Sequence, residues 1–180
     1  MMNLPNLLAS MRIGLAPLMF ILLVNRDLPL FKGLHVSWLD YFAALIFVIA
    51  SATDFFDGYI ARNWNQKTQL GAILDPLADK MLTLAAFLGL MMIDRANPWA
   101  IFLILTREFF ITGLRVAAMG EGKNIAASMA GKVKTVFQMI AIGFLMMNWP
   151  YAELLLWVAV GLTLYSGYEY IIGYTKKESN

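Results

Sequence analysis

The sequence has no cysteine, a single histidine and few charged residues. The absence of cysteine from all 180 positions excludes disulfides and thiolate-bound metal sites. The one histidine, His35, precedes Trp38 in a segment expected to be a loop, where a polar surface role is favoured over catalysis. Charged residues make up only 14% of the chain, too few to cover the surface of a soluble domain of this length. A soluble globular domain is therefore excluded.

Hydrophobic residues, by contrast, make up 60% of the chain. Apolar stretches of nearly twenty residues recur along it, which is the length that a bilayer core requires. The predicted fold class is an all-α integral membrane protein with six transmembrane helices, forming a single domain over residues 1–180. The spans are predicted at residues 12–25, 39–62, 71–93, 97–119, 126–147 and 150–173.

The N-terminal segment is predicted to form a further, short helix at the membrane surface, over Asn3 to Ser10. Pro5 provides a start signal, and leucines lie on one face of the segment. A frayed terminus is the alternative. No small-residue cleavage pattern follows an apolar run here, so the first span is expected to be retained.

The distribution of lysine and arginine predicts the orientation. With six spans both termini lie on one side, together with the 62–70 and 119–126 loops, and most basic residues fall on that side. The opposite loops carry only Arg26, Lys32 and Arg95. The positive-inside rule places the termini in the cytoplasm.

Four aspartates stand out within the predicted spans. Charges there are costly and usually mark function. Their spacing, at intervals of three or four, places them with three small residues and an arginine on one face of each of two consecutive helices. The short connection predicts antiparallel neighbours, with Asp57 and Asp75 at nearly one depth. The eight positions are Asp54, Asp57, Gly58, Ala61, Arg62, Gly71, Asp75 and Asp79.

Clustered carboxylates at this depth must be protonated or neutralised by cations. Oxygen ligands favour Mg²⁺, Mn²⁺ or Ca²⁺ over zinc, and a pair of such ions suits in-line phosphoryl chemistry. Gly58 and Gly71 allow close approach of a ligand or, alternatively, of another helix. Arg62 offers a fork for a phosphate oxygen. Asp75 before Pro76 also fits a simple helix start.

The pattern Asp54–x₂–Asp57–Gly58–x₂–Ala61–Arg62–x₈–Gly71–x₃–Asp75–x₃–Asp79 resembles the complete signature of the CDP-alcohol phosphatidyltransferases. The resemblance implies that an alcohol attacks CDP-diacylglycerol and that CMP leaves. It implies two divalent cations, Mg²⁺ or Mn²⁺, held by Asp54, Asp57, Asp75 and Asp79, with Asp79 also acting as the general base. It further implies contacts to the CDP-lipid from Asn6, Gly58, Ala61, Arg62, Thr68 and Gly71.

The acceptor alcohol is predicted from basic residues outside this pattern. Cations within or beside apolar spans need an anionic partner, and a phosphate on the alcohol provides one. The segments around Arg107 and Lys132 resemble the phosphatidylglycerophosphate synthase branch of the family, which implies sn-glycerol 3-phosphate as acceptor. Glu108 is interpreted as a partner that orients a basic residue, with simple pairing along the helix as the alternative. The predicted glycerol-phosphate ligands are Arg107, Arg115, Lys132 and Lys134.

Several alternatives stay open. Within the family, another phosphorylated alcohol such as inositol phosphate is possible; outside it, a membrane cation transporter or an aspartate-rich prenyltransferase. The expected partners are the two substrates and membrane lipid, with no nucleic acid. A homodimer is a further possibility, with Gly161, Ser166 and Gly167 supporting helix packing in the last span. The expected location is a bacterial inner membrane, with the active site facing the cytoplasm.

Overall fold

The structure is a computed structural model that describes residues 4–63, 69–120 and 129–178, without the side chains of 4–6, 54–63, 69–76, 119 and 176–178. Within these ranges the chain forms six α-helices and one short 3₁₀-helix, Pro29–Phe31, and no strand. The helices are α1 Leu4–Val24, α2 Val36–Asn63, α3 Gln69–Met92, α4 Pro98–Gly120, α5 Met129–Met146 and α6 Ala152–Glu178.

The six predicted spans coincide with the six helices to within a few residues at most ends. The structure differs from the N-terminal prediction in one respect, because the described residues 4–10 belong to α1 and do not form a separate helix. Helix α1 runs without a break from Leu4, and Pro17 lies inside it. A regular helix keeps its backbone groups hydrogen-bonded, so continuing α1 through Ser10 avoids exposing them at an apolar boundary.

Four of the described helices are long and apolar enough to cross a membrane. The stretches are Leu7–Val24, Val36–Thr53, Met129–Met146 and Ala152–Thr175. They indicate a membrane protein. Helix α4 is not among these stretches, and it carries three charged residues, Arg107, Glu108 and Arg115, in its interior. Two of these charges are predicted ligands of the acceptor.

The chain divides into two compact units, Met1–Arg95 and Ala96–Asn180. In the first unit α1 packs against both α2 and α3. Its buried residues, which recur every three or four positions, form one stripe along the helix. Gly89 of α3 allows a close approach here, because a Cβ at this position would lie 3.0 Å from Leu23 Cδ1 of α1. The buried stripe consists of Ala9, Arg12, Ala16, Met19 and Leu23.

A buried carboxylate joins three helix ends in this unit. Asp40, near the start of α2, accepts hydrogen bonds from Arg26 Nη2 and Arg95 Nη2, each at 2.7 Å. Arg26 follows α1 and also donates from Nε to Leu23 O, while Arg95 follows α3. Burial lowers the pKa of Arg26, and the neighbouring Asp40 carboxylate opposes this shift. The Asp40 cluster, consisting of Arg26, Asp40 and Arg95, therefore brings the ends of α1 and α3 to the start of α2.

The turns after α3 and α5 have the same geometry. After α3, Asp94 adopts a left-handed conformation, Asp94 N donates to Met91 O, and Arg95 N donates to Leu90 O. After α5, Asn148 is left-handed, and Trp149 N donates to Phe144 O. This is the Schellman pattern of helix termination, at residue types that tolerate positive φ. After α3, the turn delivers Arg95 to Asp40.

In the second unit α6 packs against both α4 and α5. Its buried positions again recur at three or four residues and form one stripe. Asn97 starts α4, since its Oδ1 accepts from Trp99 N at 2.9 Å and Pro98 occupies the first helical position. The buried stripe of α6 consists of Leu156, Ala159, Thr163, Ser166 and Tyr170.

Candidate functional site

The aspartate positions lie on α2 and α3, as predicted. Asp57 is six residues before the end of α2, and Asp75 is six residues after the start of α3. The two helices pack against each other and run antiparallel, because the start of α2 and the end of α3 meet at the Asp40 cluster. Each aspartate is therefore about 9 Å along its helix from the shared end. The helix bounds agree with the predicted common depth.

Asp79 is the one member of the aspartate set whose side chain is described. It is half-buried on α3, and its backbone carbonyl accepts from Thr83 Oγ1 at 3.1 Å. No group of three or more potential metal-ligating side chains occurs among those the structure describes. Thr68 lies outside the described ranges, and so do the side chains of Asn6, Asp54, Asp57, Gly58, Ala61, Arg62, Gly71 and Asp75.

Arg12 is a buried cation that is not among the predicted site residues. It is 0% exposed, within the buried stripe of α1. Helices α1 and α3 run parallel, since both end at the Asp40 cluster, and Leu23 lies level with Gly89. Counting back about 16 Å along each helix from these two residues brings Arg12 level with Asp79. A buried guanidinium at the depth of the aspartates suits charge balance there.

The predicted basic residues on α4 and α5 are partly brought together. Lys134 Nζ donates to Glu108 Oε1, and Arg107 Nη1 lies 3.5 Å from the same oxygen. Lys134 is buried, and only 12% of the Arg107 side chain is exposed. The expectation that Glu108 partners a basic residue is confirmed. Glu108 contacts two basic residues, Arg107 and Lys134. The residue spacing within α4 alone does not reveal the second, because Lys134 lies on α5.

The other two predicted ligands are more exposed. Arg115 lies eight residues after Arg107 on α4, and its guanidinium carbon is 5.7 Å from the centre of the Tyr170 ring. Lys132 is exposed on α5, two residues before buried Lys134. Residues two apart on a helix point about 200° away from each other. The two lysines therefore do not face one site, contrary to their grouping by sequence.

Two small residues of α6 contact Arg107. Ser166 Oγ accepts from Arg107 Nη2 at 2.6 Å, and Gly167 lies directly beside the arginine stem. The sequence singled out these residues for helix packing or a dimer contact. In the structure they pack against α4 of the same chain, whereas a Cβ at Gly161 would meet nothing within 4 Å. Their spacing alone did not identify the arginine as their partner.

Comparison with known proteins assigns the class. The chain matches the model of the CDP-alcohol phosphatidyltransferase family over residues 2–165. This match includes the whole aspartate motif and the basic residues of α4 and α5. The chain belongs to this family.

Its relatives make the assignment more specific. A protein of Bacillus subtilis strain 168 is 43% identical over 183 residues, covering 94% of each chain. A protein of Escherichia coli strain K12 is 39% identical over 180 residues, covering 94% of this chain and 93% of the relative. Both are named CDP-diacylglycerol–glycerol-3-phosphate 3-phosphatidyltransferase.

Proposed function

We propose that this protein transfers the phosphatidyl group of CDP-diacylglycerol to sn-glycerol 3-phosphate, giving phosphatidylglycerophosphate and CMP. The observation that carries the proposal is the complete aspartate motif within a chain that is 39–43% identical, over 94% of its length, to relatives bearing that enzyme name. The Arg107, Glu108 and Lys134 cluster supports a phosphorylated acceptor. A cation transporter has no use for these buried basic residues, which oppose cation passage.

The donor site is proposed to lie on α2 and α3. The residues present fit divalent cations, since the donor set consists of carboxylate oxygens on two adjacent antiparallel helices, and Asp79 lies half-buried in that region. Asp54, Asp57, Asp75 and Asp79 would hold two ions, Mg²⁺ or Mn²⁺. When bound, such ions neutralise the diphosphate and favour the departure of CMP. The proposed contacts to the CDP-lipid are Asn6, Gly58, Ala61, Arg62, Thr68 and Gly71.

The acceptor site is proposed to lie on α4 and α5. Arg107 and Lys134 approach one oxygen of Glu108, which holds both cations in fixed positions. These three residues carry a net charge of +1, and Arg115 adds another positive charge. A dianionic phosphate matches this balance, whereas a neutral alcohol such as inositol does not. Lys132 is assigned a lesser role, because it is exposed on a different side of α5.

The chemical step is a displacement at phosphorus. The acceptor hydroxyl oxygen forms a bond to the phosphorus that carries the diacylglycerol, and the bond from that phosphorus to the CMP oxygen breaks with its electron pair. Asp79 is proposed to accept the hydroxyl proton, because it is the last carboxylate of the motif and lies furthest inside α3. The site is proposed to face the cytoplasm of a bacterial inner membrane, on the side of the chain termini.

The test is CMP release by the purified protein. CDP-diacylglycerol is supplied with glycerol 3-phosphate, glycerol, serine, inositol or inositol phosphate, with and without Mg²⁺ or Mn²⁺. We expect release with glycerol 3-phosphate alone, lost on chelation and restored by either ion. Release with inositol phosphate instead would reassign the acceptor, and release of diphosphate would refute the reaction class.

Asp79→Asn is expected to separate the chemistry from binding. The amide keeps the size and an oxygen ligand of the carboxylate but takes up no proton, so turnover should fall by about 10²- to 10⁴-fold. Mn²⁺ binding, followed by electron paramagnetic resonance, should be largely retained. Asp27→Asn, in an exposed loop, is the matched control and should retain full turnover. Loss of Mn²⁺ binding in Asp79→Asn would make Asp79 chiefly a metal ligand.

A further inference from the structure

The Arg107 side chain of α4 packs against two adjacent small residues of α6, Ser166 and Gly167. A Cβ built on Gly167 would lie 3.1 Å from Arg107 Cγ and 3.1 Å from its Nε. The arginine stem therefore occupies the space that any larger residue would use. Beyond the stem, Arg107 Nη2 donates to Ser166 Oγ at 2.6 Å. We call Ser166 and Gly167 the arginine seat.

The seat is itself held in place. The Ser166 hydroxyl donates to Thr163 O at 3.2 Å, so its lone pairs are directed to Arg107. Thr163 Oγ1 accepts from Gln138 Nε2 at 2.9 Å, and both residues are buried. Gln138 is four residues after Lys134 on α5, which places the two on one helix face. One face of α5 thus contacts both Glu108 and the segment of α6 that carries the seat.

The opposite end of the guanidinium is held by Glu108. Nη1 lies 3.5 Å from Glu108 Oε1, the oxygen that also accepts from Lys134. Buried Nε has no hydrogen-bond partner in the described structure and faces Gly167. A guanidinium has five N–H donors, of which Nη1 and Nη2 carry two each. With one contact to each Nη, one N–H group of each Nη is left for an anion.

We propose that Ser166 and Gly167 are positioning residues that set the recognition of the acceptor phosphate through Arg107. Gly167 admits the arginine stem, and Ser166 fixes the plane of the guanidinium so that its Nη edge meets the phosphate bidentately. This proposal rests on the proposed function. It assigns α6, which carries none of the predicted ligands, a part in choosing the acceptor alcohol.

Gly167→Ala tests the proposal sterically. The added methyl group forces Arg107 to move by a few tenths of an ångström, and we expect KM for glycerol 3-phosphate to rise about threefold to tenfold. KM for CDP-diacylglycerol should change less than about twofold. Gly161→Ala is the matched control on the same helix, since a Cβ there meets nothing within 4 Å. The thermal midpoint in detergent reports on folding in both variants.

Ser166→Ala tests the polar contact and introduces no clash. Losing a hydrogen bond to a charged group should raise KM for glycerol 3-phosphate about tenfold. Thr175→Ala is its control, because Thr175 Oγ1 makes the same hydroxyl-to-carbonyl bond, to Ile172 O, at an exposed position of α6. If Gly167→Ala does not fold, the Ser166 variant decides alone.

The outcomes separate the two proposals. An active wild type with unchanged KM for glycerol 3-phosphate in both seat variants overturns the arginine seat only. Equal rises in KM for both substrates, or a lower thermal midpoint without a KM change, also overturn it, since either result indicates a purely structural role. A wild type that releases no CMP with glycerol 3-phosphate refutes the proposed function, and the seat proposal with it.

Discussion

Asp40 in the first unit and Glu108 in the second unit each contact two basic side chains. The two carboxylates differ in where they lie along their helices. Asp40 stands where three helix ends meet, and its two oxygens accept one arginine each at 2.7 Å. Glu108 stands well inside α4, and a single oxygen is approached by both Arg107 and Lys134. The first arrangement satisfies the carboxylate symmetrically and ties segments together. The second collects two cations at one point.

The difference suggests different uses for the same set of charges. At helix ends, a paired carboxylate offsets the cost of ordering the turns that follow α1 and α3. Inside an apolar helix, charge is expensive and is retained where a ligand needs it. We therefore expect changes at Asp40 to affect stability, and changes around Glu108 to affect catalysis with the acceptor.

Asp40→Asn is expected to have the largest effect among the variants that test this contrast. Removing the carboxylate leaves Arg26 and Arg95 without their shared partner, and breaking such a buried pair costs about 3–5 kcal/mol. The free energy of unfolding in detergent should fall by about this amount, while KM for both substrates stays close to that of wild type. Asp27→Asn removes an exposed carboxylate from the same loop as Arg26 and should leave stability unchanged. A KM effect without loss of stability would reverse the assignment.

Lys134→Met tests the second carboxylate of the comparison, Glu108. Methionine matches the length of the lysine stem, and Glu108 retains Arg107, so no carboxylate is left without a cation. Removing this proposed charge partner of the acceptor phosphate should lower kcat/KM for glycerol 3-phosphate about 100-fold. Lys132→Met, at the exposed neighbour, should have a clearly smaller effect. A loss of stability as large as that of Asp40→Asn would make the Glu108 cluster structural.

Arg115→Ala should give the smallest effect. Its guanidinium is exposed and contacts the Tyr170 ring at 5.7 Å, and such contacts contribute about 0.5–1 kcal/mol. KM for glycerol 3-phosphate should rise about threefold, measured by CMP release at low ionic strength. Arg115→Lys keeps the charge and should recover part of the affinity. An effect equal to that of Lys134→Met would place Arg115 directly on the phosphate.

Much of the fold could be predicted because its signals are local. Apolar stretches of bilayer length located the six helices to within a few residues at most ends. The aspartate motif follows from spacing on single helices, so its placement on α2 and α3 required no tertiary information. The separate surface helix predicted before the first span was not found, because α1 continues from Leu4 through Ser10 and its buried stripe extends through Arg12.

The site could be predicted only as far as residue types and helix faces allow. Glu108 and Arg107 were identified beforehand, yet the contact between Glu108 and Lys134 joins residues 26 positions apart. Lys132 was grouped with Lys134 because the two residues are close in sequence. On a helix, however, residues two positions apart lie on nearly opposite sides. The Asp40 cluster was missed for a similar reason, since Arg95 lies 55 positions from Asp40.

The sequence by itself determined the membrane class, the helices, the aspartate motif and the family, because each is encoded by composition or by spacing within one or two helices. Only the tertiary structure decided which cations share a carboxylate, that Arg12 is buried level with Asp79, and that Arg107 rests on Ser166 and Gly167. These facts depend on how the helices pack. Gly167, which has no Cβ, leaves space for the Arg107 stem, and one oxygen of Glu108 contacts both Arg107 and Lys134. Side-chain contacts between distant segments leave no periodic trace in the sequence.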